Sequence, residues 1–180
     1  MSLKAKLVSS VAAFMLVLAL MVVGIFAASS GTVQMGGTIS FTATDVVGSI
    51  TLSSTGNQGG ELSETASFTA ETETIAENWT EQNLVFAEAT DIVVSITVDN
   101  DATDRPMYVT FTNLPEITSA KNVTVSGVTY NTDQSVVKGT AVEVAADSQV
   151  TFQFTFAVTS DNNGASGSWA ANISLSNTKA

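Results

Sequence analysis

The sequence has seventeen Asp and Glu, six Lys and Arg, and neither histidine nor cysteine, and these counts limit its chemistry. A Ser–His–Asp or Cys–His nucleophile cannot be built, and no HExxH zinc motif exists. Two carboxylates alone can hydrolyse a glycosidic bond when correctly separated. Here no spacing singles out one pair, and acids on a small β domain mainly solvate its surface. No catalytic residue is therefore assigned, and the chain is read as a non-enzyme. In "DNDATD", Asp99, Asp101 and Asp104 crowd one short segment around Asn100. Oxygen ligands at such spacing suit Ca²⁺, a hard cation that takes six to eight of them. The spacing is not that of an EF-hand loop, and Asp and Asn also gather in turns because they hydrogen-bond their own backbone. The turn reading is preferred and Ca²⁺ is kept as the one candidate metal; no cofactor is otherwise expected. "SDNNG" (Ser160 to Gly164) is read as a turn in the same way.

Two tryptophans could stack on sugar rings. Trp169 falls in register with Ala171, Ile173 and Leu175 and is expected in the core. Trp79 lies in the polar stretch "ETETIAENWTEQN" and is the one expected to be exposed. Sequons at Asn78, Asn122 and Asn172 arise readily in a chain so rich in Ser and Thr, and matter only in a host that glycosylates.

The elements that carry these residues alternate with period two. Ile39, Phe41 and Ala43 alternate with Ser and Thr, and Ile50 and Leu52 continue the pattern. Ile92/Val94/Ile96/Val98, Met107/Val109/Phe111 and Val150/Phe152/Phe154/Phe156/Val158 form the strongest apolar faces, with Val123/Val125, Val128/Tyr130 and Trp169/Ala171/Ile173/Leu175 beside them. Apolar residues on one side and Thr, Ser or Gln on the other suit an antiparallel sheet with one wet face. Eight to ten such runs, punctuated by turns such as "STGNQGG", predict an all-β fold, a two-sheet antiparallel sandwich or jelly roll. The Thr content of Glu71 to Asn83 favours a loop or edge ribbon over a short helix.

Ahead of this lies a leader. Lys4 and Lys6 precede an uncharged apolar run from Leu7 to Ala28, and no acid appears before Asp45. A basic start, an apolar helix and a small-residue exit at Ala27 and Ala28 read as a secretory signal over residues 1–27. The run is long for a signal and would suit a membrane span, so a retained anchor is the alternative. A cut after Ala27 leaves residues 28–180 as one β-sandwich domain. It also removes Lys4 and Lys6, taking the formal charge from −11 to −13. Such charge repels phosphate backbones and argues against nucleic-acid partners. A domain of this size can bury a core large enough to do without disulfides.

The leader exit Gly24-Ile25-Phe26-Ala27-Ala28, running directly into a strand, resembles that of the TasA/camelysin group of secreted matrix-fibre proteins. Ile25 and Phe26 stand where that group has Thr and Trp. The segments "ITVDNDATDRPMYVTFTNL" and "VEVAADSQVTFQFTF" are also similar to the group: a strand ending in Asn, a polar turn, and a late strand entered from a polar turn. The resemblance implies a jelly-roll subunit that polymerises outside the cell by lending its N-terminal strand to a neighbour. The metalloprotease activity ascribed to some members is not carried over, because this chain has no histidine.

The residues permit the same reading on their own. Gly31, Thr32, Val33, Gln34 and Met35 belong to a short β-capable arm, 29–35, set off by Gly36-Gly37. The alternative is that Thr32 to Thr44 forms two strands of its own domain around a Gly-Gly turn. The expectation is a secreted, cell-surface structural subunit whose partner is a second copy of itself. Salt, or acidification toward carboxylate protonation, should favour its assembly. A monomeric module binding cell-surface polysaccharide is the rival. A pilin-like subunit retaining its apolar helix is a third reading, although no Glu follows Lys4-Ala5 or Lys6-Leu7 as a processing site would require. A membrane enters only through an uncleaved leader.

Overall fold

The computed structural model describes residues 33–69, 74–80, 82–86, 90–118, 123–158 and 166–179. The leader, with Ala27 and Ala28, lies outside them, as do Gly31 and Thr32 of the arm and the "SDNNG" turn. Thirteen strands are formed among the described residues, in two facing sheets. Sheet I contains β1 (Val33–Thr44), β4 (Thr74–Trp79), β5 (Leu84–Phe86), β7 (Met107–Thr118), β11 (Ala141–Val144) and β13 (Ser166–Ser176). Sheet II contains β2 (Gly48–Thr55), β3 (Ser63–Phe68), β6 (Ile92–Asn100), β8 (Val123–Val125), β9 (Thr129–Tyr130), β10 (Gln134–Ser135) and β12 (Ser148–Val158). The all-β two-sheet sandwich predicted from alternation is the fold. No helix among the described residues is long and apolar enough to cross a membrane.

The order in sheet I is β11-β7-β13-β1-β4, with β5 also on β1; in sheet II it is β10-β9-β12-β6-β2-β3, with β8 also on β12. One pairing departs from the antiparallel expectation. The first strand, β1, runs parallel to the last, β13, from Gln34 opposite Ser166 to Thr44 opposite Ser176.

Each strand buries every second residue because side chains alternate across the pleat. Ile92, Val94, Ile96 and Val98 of β6 are fully buried, as are Phe152, Phe154 and Phe156 of β12 and Met107, Val109 and Phe111 of β7. Phe154 meets Phe156 edge-on at 5.6 Å and Trp169 at 5.9 Å, the T-shaped arrangement that aromatic quadrupoles favour.

The outward residues form polar rows. In sheet II, Thr65, Thr51, Thr97 and Thr151 stand opposite one another across β3, β2, β6 and β12. Their hydroxyl oxygens pair at 3.2 Å (Thr51 with Thr65) and 3.0 Å (Thr97 with Thr151). Ser63, Ser53, Ser95 and Gln153 form the next row, and Gln153 Nε2 donates to Ser95 Oγ at 3.2 Å.

Edge strands carry charge toward the inside. Glu64 of β3 is level with Leu52 and Glu77 of β4 with Phe41, both exposed at the lip between the sheets. An inward charge on an edge strand discourages another sheet from stacking there. The core reading predicts that Phe154→Ala costs about 3–5 kcal/mol. Thermal unfolding should then move down by roughly 10 °C or more, whereas a shift of a degree or two would mean that Phe154 is not packed as described.

Candidate functional site

β1, the first strand among the described residues, lies inside sheet I. One side pairs along its length with β13; the other pairs with β5 over Val33 to Met35 and with β4 over Ile39 to Thr44. Between those two partners, Gln82 N–H donates to Gly37 O at 3.1 Å, so the strand is engaged there too. Met35, Ile39, Phe41 and Ala43 point inward and are almost fully buried. Phe41 meets Trp79 edge-on at 4.9 Å and Phe68 at 5.9 Å. Trp79, expected to be exposed, is therefore core: it ends β4 on the inward phase and closes over Phe41, and only 8% of it remains accessible.

The two glycines of β1 form neither a hinge nor a turn; the strand runs straight through them. Their roles differ. Gly36 faces outward, and a Cβ there would meet only Asn83 Oδ1, at an ordinary 3.7 Å. Gly37 faces inward beside Trp169, its register partner, and a Cβ would fall 2.1 to 2.4 Å from three indole atoms. The indole takes the volume a side chain would need. It is held by Phe156 at 5.2 Å and Phe154 at 5.9 Å, and its Nε1 is buried with no hydrogen-bond partner among the described residues. Val33, Gln34 and Met35 thus belong to the same continuous strand as Ile39 to Thr44.

Between β1 and β2 only Asp45, Val46 and Val47 cross from one sheet to the other. Asp45 has φ 55, in the left-handed region that only glycine enters without cost, although aspartate tolerates it better than most. Val46 is buried, and Val47 O accepts from Asp101 N–H at 3.1 Å. Gly48 then begins β2 at φ 149, where a Cβ would strike Asp99 O.

That contact leads to the acidic segment. Asp99 is the penultimate residue of β6 and is half-buried between Ser49 and Gln149, while Asp101 and Asp104 are exposed. No three acidic side chains among the described residues converge as a metal-binding group. The residue that organises the turn is Asn100, which is 1% exposed. Its Nδ2 donates to Arg105 O, Val144 O and Ala145 O at 3.0 to 3.2 Å, and its Oδ1 accepts from Ala102 N–H at 3.1 Å. One amide thereby ties the end of sheet II to β11 of sheet I.

Asn57 does the same at the opposite end. Its Nδ2 donates to Asn83 O at 2.9 Å, and its Oδ1 accepts from Val85 N–H at 2.8 Å and Gly59 N–H at 3.2 Å. The sequence marks Asn100 only as a member of the acidic turn cluster at the end of a strand, and Asn57 only as part of the turn "STGNQGG". Neither position signals that its side chain links the two sheets.

No family model matches this chain, and no curated protein does. Solved structures to which it is similar include the μ-homology domain of yeast δ-COP-I, at 10% identity and TM-score 0.18, covering 81% of this chain and 95% of that one. A second is a single-residue variant of the major pilin of Streptococcus pyogenes, at 9% identity and TM-score 0.18, covering 82% of this chain and 48% of the pilin. At such scores neither likeness carries an argument.

The asparagine staples give the prediction here. Asn100→Ala removes the amide's bonds to Ala102 N–H and to the carbonyls of Arg105, Val144 and Ala145, of which the one to Val144 is fully buried, at a cost of about 1–3 kcal/mol for a buried bond lost. It should lower thermal stability markedly, whereas Asp101→Asn, which keeps the backbone bond to Val47, should leave it nearly unchanged. Equal melting curves for Asn100→Ala and the parent would show that the amide does not hold the sheets.

Proposed function

We propose that the chain is a secreted structural subunit of an extracellular surface or matrix fibre, and that its subunits join by exchanging the N-terminal strand. The observation that carries this reading is the place of β1. With the leader removed, β1 becomes the terminal strand of the mature chain, and it is an interior member of sheet I joined to the rest by three residues. If β1 leaves, the backbone edges of β13 and β4 open, and the pockets for Met35, Ile39 and Phe41 empty. An identical strand from a second copy fills the same slot with the same contacts. Such exchange adds little cost beyond association, and a short connection under strain favours it. Head-to-tail repetition of the exchange is heterologous and generates an open filament. The exchanging element is then β1 as a whole rather than the arm 29–35 alone.

Charge sets the conditions. A formal −13 for residues 28–180 makes neighbours repel, and that repulsion is screened over about 10 Å at 0.1 M salt.

The second reading, a monomeric polysaccharide-binding module, is favoured by one feature. The hydroxyl and amide rows of sheet II make a face on which Asp99 is the one acid of its three central rows, suited to a neutral polyol. No tryptophan stands on that face for a sugar ring to stack upon, since Trp79 and Trp169 are both buried.

The strand-exchange reading predicts that the mature chain sediments as polymer in a fraction that rises with salt. Inserting a flexible Gly/Ser segment after Val46 relieves the connection and should shift the protein toward closed monomers without loss of fold. Monomers of the parent chain at every salt and protein concentration, together with retention on an insoluble neutral polysaccharide, would replace this reading with the binding module.

A further inference from the structure

We propose that Trp169 makes the β1 slot register-selective: it admits a second copy's β1 only with Gly37 beneath the indole. This rests on the strand-exchange reading above. The slot otherwise has little to fix register, because β1 offers a run of main-chain hydrogen bonds and alternating apolar residues that repeats every two positions.

Trp169 breaks that repetition. A slip of two residues keeps the apolar face inward but sets Met35 or Ile39 against the indole in place of Gly37. Even a Cβ cannot fit there, with indole atoms 2.1 to 2.4 Å from its position. A slip of one residue brings Gly36 beneath the indole but turns Met35, Ile39, Phe41 and Ala43 to solvent. Only the native register satisfies both demands.

The indole cannot readily yield, since Phe154 and Phe156 back it. Its buried Nε1 has no acceptor among the described residues, so the aromatic contacts are what fix its position there. The adjacent glycines make a matched pair for testing: Gly36 has room for a methyl group and Gly37 has none.

The test uses the full mature chain and labelled synthetic peptides spanning residues 30–45, in the parent sequence, with Gly36→Ala and with Gly37→Ala. The protein is diluted from mild denaturant in the presence of each peptide, and captured label is measured after separation. The parent and Gly36→Ala peptides should be captured comparably, and the Gly37→Ala peptide about tenfold less or worse. A Trp169→Leu chain should recover capture of the Gly37→Ala peptide. The comparison among peptides on the parent chain stands even if that variant fails to fold. Equal capture of both alanine peptides would overturn the register lock and leave strand exchange standing. Failure to capture even the parent peptide would remove both.

Discussion

Sheet I is complete only while β1 lies between β13 and the β4–β5 pair, and most of the structure follows from that insertion. An interior strand has both edges hydrogen-bonded, and buried backbone groups without partners are strongly disfavoured. Removing β1 would open two edges at once and uncover Trp79, Phe68 and Trp169, against which its side chains pack. β1 and β13, the first and last strands of the described residues, are not joined by a hairpin and can therefore pair parallel, whereas strands joined by short hairpins must run antiparallel. The slot is thus the one place in the fold that a different copy of the same strand could fill without altering any other pairing.

Two devices keep the rest of the sandwich in place around that slot. Asn100 and Asn57 bind the ends of the sheets together through neutral backbone carbonyls and amides. Neutral staples hold their strength as salt changes, because screening acts on charges. The acidic residues on the edge strands, Glu64 and Glu77, sit at the lip between the sheets, where they oppose stacking by a foreign sheet. Negative charge therefore guards the flank while the slot depends on shape.

The alternation of Ile92 to Val98, Met107 to Phe111 and Val150 to Val158 made the two-layer fold legible, because period two has one structural meaning in a half-buried sheet. Trp79 misled because Asn78 and Glu77 beside it are exposed on an edge strand, while its own side chain closes over Phe41. The Gly36-Gly37 pair read as a hinge or turn, since glycine most often marks one. Its real cause, the indole of Trp169 lying across Gly37, joins residues more than a hundred positions apart and leaves no local trace. Asn100 and Asn57 were equally hidden: an asparagine in a turn looks the same whether it binds its own loop or the opposite sheet. Alternation reports which face a residue occupies, and it is silent about which strand lies next to which.

The most direct measurement uses Thr44 and Thr74, which face each other across β1 and β4 with their hydroxyl oxygens 3.4 Å apart. Because the chain has no cysteine, the double variant Thr44→Cys with Thr74→Cys carries only that pair. The reduced variant is assembled at high salt, then oxidised, and its products are separated under denaturing, non-reducing conditions. Strand exchange places each β1 beside a neighbour's β4 and predicts a ladder of covalent multimers from the polymer, with single subunits from the monomer fraction. A polymer that yields only internally closed single subunits, or a protein that forms no polymer, would contradict the account.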